Sequence, residues 1–123
     1  MTVGRCFTIP SPSSAEIPPS LAKRVLLRDS YTCVYCCARN VPLEIDHVRP
    51  RAHFLSTAPA RVVNAPSNLV TACSDCNQAK GPQSLRGFAE TLRGRELPAQ
   101  VIAALLRRAR ASVRRELPFA IVP

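Results

Sequence analysis

No apolar run in the 123 residues reaches the ~18–20 that a membrane-crossing helix needs. The opening stretch, MTVGRCFTIPSPSS, lacks the basic start, apolar middle and small-residue cleavage site of a secretory signal. Acidic residues are scarce, 8 against 17 Lys and Arg, for a formal charge of +9. That excess favours polyanion partners, because each neutralised phosphate releases counterions. A basic surface that only keeps the chain soluble is the plainer alternative. There is no internal repeat, and no low-complexity block beyond a Pro/Ser-rich start. A chain this short makes one domain, or a small domain with an appended helix. Small domains bury little surface, so a metal staple would usefully supplement a thin core.

Cysteine is what the chain does have. Cys33 and Cys36 form one Cys-x-x-C pair, and Cys73 and Cys76 another. Without export signals such pairs point to metal rather than disulfides, and to a reducing cytoplasm. Four thiolates so spaced can surround Zn²⁺ tetrahedrally at about 2.3 Å. Cys6 and Cys37 read as spectators. A closed four-sulfur zinc site offers no open position for chemistry, so any reaction must be sought between the pairs.

The surrounding pattern is mixed. Residues 1–19, with Pro10, Pro12, Pro18 and Pro19, read as an arm. Ser20 is placed to cap a helix over SLAKRVLLRD, burying Leu21, Val25 and one of Leu26 and Leu27. Residues 42–48 alternate as a strand, with Leu43, Ile45 and His47 on one face and Glu44 and Asp46 on the other. The stretch RAHFLSTAPARVVNAPS has no firm period, and long loops in compact domains are usually functional or mobile. Residues 68–73 form a second strand. Ser74 should cap a short helix over DCNQAK, stopped by Gly81-Pro82. Residues 83–93 read as a short helix broken near Gly94, and residues 99–117 as a longer one. On the latter, Val101, Ile102, Leu105, Leu106, Ala109, Val113 and Leu117 share one side. Arg107, Arg108, Arg110, Arg114 and Arg115 take the other. Either this helix packs on the core with a solvated basic face, or it lies along a phosphate backbone.

Between the cysteine pairs stand Asp46-His47 and Asn68, and Asn77 directly follows the last cysteine. Carboxylate and amide oxygens are hard ligands suited to Mg²⁺ or Mn²⁺. A neutral imidazole beside them can take a proton from water. Those are the parts a phosphodiester hydrolysis requires.

Together the strings RVLLRDSYTCVYC, LEIDHVRPR and NLVTACSDCNQAKG resemble the HNH endonuclease family, over residues 21–81. The resemblance implies an α+β fold: a small ββα-metal domain stapled by a four-cysteine zinc site, with flanking helices. The HNH domain would span 20–82, between the 1–19 arm and a basic amphipathic helical extension over 83–123. It implies that His47 is the general base, and that Asp46 and Asn77 hold the catalytic Mg²⁺ or Mn²⁺. Asn68 would orient the loop beside His47. Arg49, Arg51 and Lys80 are candidate phosphate contacts, and Arg107, Arg110 and Arg114 candidate contacts to the DNA backbone. The implied reaction is DNA phosphodiester hydrolysis to a 5′-phosphate and a 3′-hydroxyl. With one active site per chain, a double-strand break would need a homodimer or two visits.

Two features depart from the family pattern. Cys37 stands where a glycine usually follows the second cysteine, and the loop before Asn68 has Pro59 and Pro66 but no glycine pair. The rival readings are a non-catalytic zinc module that binds nucleic acid, and a subunit of a larger phage packaging or restriction complex. A pure binder needs none of Asp46, His47, Asn68 and Asn77.

Overall fold

The computed structural model describes residues 16–119. Cys6 and most of the expected N-terminal arm lie outside them. The elements run α1 (Pro19–Arg28), β1 (Leu43–His47), α2 (Ala60–Val63), β2 (Leu69–Cys73), α3 (Ser74–Lys80), α4 (Leu85–Gly94) and α5 (Ala99–Ser112). Two 3-10 turns, Arg51–His53 and Pro66–Asn68, punctuate the long connection between the strands.

β1 and β2 pair antiparallel, from Leu43 opposite Cys73 to His47 opposite Leu69. The register gives this small sheet two distinct ends, about 13 Å apart at ~3.3 Å per residue. The second cysteine pair begins at one end, and Asp46-His47 lies at the other. α3 starts directly after Cys73 and climbs back along the sheet, bringing Lys80 level with Asp46.

Every residue of β2 is buried, which suits a short apolar run covered on both faces. β1 takes only one edge of β2, so the other edge needs partners elsewhere. The Asp29 carboxylate accepts from the Thr71 amide at 2.9 Å, and the Val34 amide donates to the Thr71 carbonyl at 3.0 Å. α1 and the first cysteine turn therefore close that edge without a third strand.

α1 starts one residue before the expected cap. Pro18 precedes it and no side chain caps it, Ser20 included; the fixed φ of Pro19 suits a first helical position. Val25 is buried and Leu27 exposed, and the residue that completes the buried side is Arg28. Its guanidinium donates to Asp29, to the Pro66 and Leu69 carbonyls and to Ser112. Burial opposes ionisation of Asp29, but donors from Arg28, Ser112 and the Thr71 amide outweigh it and hold the carboxyl below its ordinary value. A buried charge is tolerated only with such pairing. This one ties α1, the start of β2 and the end of α5 together.

The main core joins Tyr35, Val70 and Ala72 to Phe88, Leu92, Ile102, Leu105 and Ala109. α5 ends at Ser112 rather than near residue 117, where the Ser112 hydroxyl enters the Asp29 network. Val101, expected on the buried side, is exposed. Arg108, expected in solvent, folds inward instead and donates to the backbone carbonyls of Val34 and Tyr35. That turn of chain has carbonyls without strand partners, and a guanidinium with several donors serves two at once.

Candidate metal centre and catalytic cleft

At the cysteine end, one ligand atom from each of Cys33, Cys36, Cys73 and Cys76 lies within 4.8 Å of the other three. Cys36 and Cys73 sulfurs are 3.7 Å apart, close to the edge of a tetrahedron with metal–sulfur bonds of about 2.3 Å. Local turn chemistry sets this spacing. The Cys36 amide points at Cys33 Sγ and the Cys76 amide at Cys73 Sγ, each at 3.4 Å. The second contact also caps α3, so the capping residue is Cys73 and not Ser74, whose hydroxyl instead donates to Glu44. Hydrogen bonding with Cys76 draws the Cys33 thiol down to about 4, while the same bond pushes Cys76 far up. The four sulfurs fit a metal ion.

Cys37 lies beside this cluster with φ of 68°, in the left-handed region where a side chain costs about 1–2 kcal/mol. The glycine usual at that place in the family therefore has a conformational reason. Gly81 ends α3 with φ of 52°, as the Gly81-Pro82 stop anticipated.

The other end of the sheet opens onto a cleft of about 360 Å³ whose lining includes Asp46, His47, Arg51, Asn77 and Gly81. Asp46 is nearly buried. The Tyr35 hydroxyl donates to it at 2.6 Å, and Lys80 Nζ lies 3.2 Å away. Burial pushes the Asp46 carboxyl up and the Lys80 ammonium down, and their pairing pulls each back. Lys80 also donates to the His47 carbonyl at 2.9 Å. Its side chain is fully buried, which corrects its expected place against phosphate. A four-carbon stem threaded under β1 leaves the charge facing protein.

Asn77 is the fourth residue of α3. Its amide nitrogen donates to Glu44, which leaves the side-chain oxygen as the group it can offer to the cleft. Carboxylate and amide oxygens beside an open cleft suit a hard divalent cation. His47, half-buried, has its Nε2 2.7 Å from Asn64 Oδ1. Burial holds the imidazole below the ordinary histidine range; the Asn64 bond opposes this, and the nearby Arg51 charge reinforces it.

Asn68 is buried beneath the loop. It accepts from the Arg49 amide at 2.7 Å and donates to the Arg49 and Val63 carbonyls at 3.1 and 2.9 Å. One side chain thus ties the backbone after His47 to α2. Arg49 itself stacks on Phe54, 4.3 Å from the ring centre, while Arg51 lines the cleft. The arginines Arg107, Arg110 and Arg114 are exposed, and none of them lines the cleft.

Two contributors escape the sequence. Tyr35 reads as a core aromatic, and nothing in CVYC announces that its hydroxyl reaches Asp46 eleven residues on. Asn64 reads as a loop residue; the only hint is an apolar run, ARVV, held between Pro59 and Pro66. Tyr35→Phe should keep the edge-to-face packing on Phe88, whose ring centre is 5.4 Å away. It should still lower unfolding free energy by about 1.5–3 kcal/mol, as for a buried hydrogen bond to a charge. Urea titration of the zinc-loaded protein measures it, and an unchanged midpoint would show that the bond contributes nothing.

Two antiparallel strands and a helix, stapled at one end by four cysteines and open at the other, define a ββα-metal unit. Residues 33–83 match the family model described as HNH endonuclease. The match takes in both cysteine pairs, both strands and α3 and stops short of α4. No curated protein and no solved structure matches the chain. No helix among the described residues is long and apolar enough to cross a membrane.

Proposed function

We propose that the protein is a metal-dependent endonuclease that hydrolyses DNA phosphodiester bonds. The observation that carries this reading is the meeting of Asp46, His47 and Asn77 in one open cleft, away from the cysteine cluster. Cys33, Cys36, Cys73 and Cys76 would hold Zn²⁺ as a structural ion. Asp46 and Asn77 would hold Mg²⁺ or Mn²⁺, which when bound stabilises charge on the phosphate and the departing oxygen.

His47, kept neutral by burial, takes the proton from a water as that water's oxygen bonds to phosphorus. The bond from phosphorus to the 3′ oxygen breaks opposite, and that oxygen takes a proton from solvent, leaving a 5′-phosphate and a 3′-hydroxyl, while His47 later returns its proton to solvent. Arg51, at the rim, favours the approach of the phosphate. Asn68 keeps the backbone after His47 in place, and Tyr35 and Lys80 set the direction of the Asp46 carboxylate. The basic surface, Arg107, Arg110 and Arg114 included, supplies contacts that position a duplex without reading its sequence.

The test is nicking of supercoiled plasmid by the zinc-loaded protein, with Mg²⁺ or Mn²⁺ and with EDTA. Nicking is expected only with the divalent ion, and binding should weaken steeply as salt rises. Salt-sensitive binding with no cleavage under any divalent ion would overturn the nuclease reading in favour of a binding module.

A further inference from the structure

We infer that Asn64 is the positioning residue that holds the His47 ring in the orientation and tautomer a base requires. The inference rests on the reading of His47 as that base.

Asn64 follows directly on α2 and is buried, with 6% of its surface exposed. Its Oδ1 stands 2.7 Å from His47 Nε2. An amide oxygen has lone pairs and no proton, so its partner must be the protonated form of that nitrogen. In a neutral imidazole only one nitrogen carries hydrogen, so a proton on Nε2 leaves the lone pair on Nδ1. The ring itself lines the cleft, so the nitrogen with the free pair is the one available to a water there. The reactive nitrogen and the anchored nitrogen are thereby assigned.

The anchor is itself held. The Asn64 backbone amide donates to the Ala60 carbonyl at 2.7 Å, closing α2. Asn68 fastens the preceding residue by donating to the Val63 carbonyl and fastens Arg49 from both backbone sides. The two asparagines therefore act in series, Asn68 on the backbone and Asn64 on the ring. A loop without a glycine pair can do this because Pro59 and Pro66 bound a helical turn that presents Asn64 inward. The opposite amide orientation, nitrogen toward the ring, would demand a proton on Nδ1 and leave no base facing the cleft.

The tautomer is measurable without turnover. The probe is the zinc-loaded protein with ¹⁵N-labelled histidine and no added divalent cation, examined by two-bond ¹H–¹⁵N correlation above the ring's titration. Two histidines are present, and exposed His53 serves as an unconstrained reference. Wild type should show His47 as a single Nε2–H tautomer. Asn64→Asp, which keeps acceptor oxygens at the same reach, should retain it. Asn64→Leu should give mixed or inverted tautomers and lower kcat for nicking roughly 10–100-fold, as for a lost orienting partner, with KM little changed.

An Nδ1–H pattern in wild type would overturn the inference. So would an unaltered Nε2–H pattern with unaltered kcat in Asn64→Leu. If Asn64→Leu does not fold, the wild-type and Asn64→Asp spectra still decide the matter. Failure of the base reading is distinguishable: His47→Ala would then cut as wild type while the ring kept its tautomer in the unaltered protein.

Discussion

Replacing His47 by alanine should lower plasmid nicking by roughly 10²–10⁴-fold, the range for loss of a positioned general base. Zinc content should not change, because His47 lies at the opposite end of the sheet from the four cysteines. Stability should fall by only about 1–3 kcal/mol, since the buried Asn64 oxygen loses its donor. The pH profile of the wild type belongs to the same prediction. Burial, aided by the Arg51 charge, favours the neutral ring, and the neutral ring is the form that accepts a proton. Activity should therefore persist below the ordinary histidine midpoint of about 6.5 and decline only as pH falls through the lowered value. Cleavage by His47→Ala at the wild-type rate would remove this residue from the mechanism.

The largest loss of stability is expected from Cys73→Ser. Cys73 ends β2, pairs with Leu43, contributes a sulfur to the cluster and caps α3. Binding of structural zinc is worth about 10–16 kcal/mol in small peptides. That is as large as the ~5–15 kcal/mol by which a whole domain is stable. Serine is a poor zinc ligand, so zinc per chain should drop and the cooperative thermal transition should disappear. Cys37→Ser, outside the four-sulfur cluster, should retain both. The checks are metal analysis and melting followed by circular dichroism. A Cys73→Ser protein that melted like wild type without zinc would show that the fold does not depend on the ion.

The parts of this fold legible in the sequence are those fixed by local rules. Alternation over residues 42–48 marks β1 to within one residue at each end, because a half-buried strand must alternate. The apolar run before Cys73 marks β2, and glycine followed by proline marks the end of α3. The four-cysteine cluster is legible because metal chemistry restricts both residue type and spacing.

Charged residues are the harder class. Arg28, Lys80 and Arg108 look like surface by type, yet each is drawn inward by unpartnered carbonyls or a carboxylate that only the tertiary fold brings close. Periodicity cannot foresee such a partner. Nor can it foresee the loop between the strands, where a turn of helix and two 3-10 turns arise from prolines rather than from a repeating apolar pattern. Asn64 is hidden there. Its usefulness depends on a contact to His47 across seventeen residues of chain.

Half of the main core's buried residues, from Phe88 to Ala109, come from α4 and α5. The recognisable signature ends at residue 83, before either helix. What is shared with a family and what folds as a body are therefore different lengths of chain. Grafting only the signature onto another scaffold would strip the cover from Tyr35 and release the carbonyls that Arg108 holds, loosening the Asp46 carboxylate from behind. The tail belongs to the foundations of the candidate cleft, and a transplant that keeps the cleft's geometry must carry it or replace its bulk.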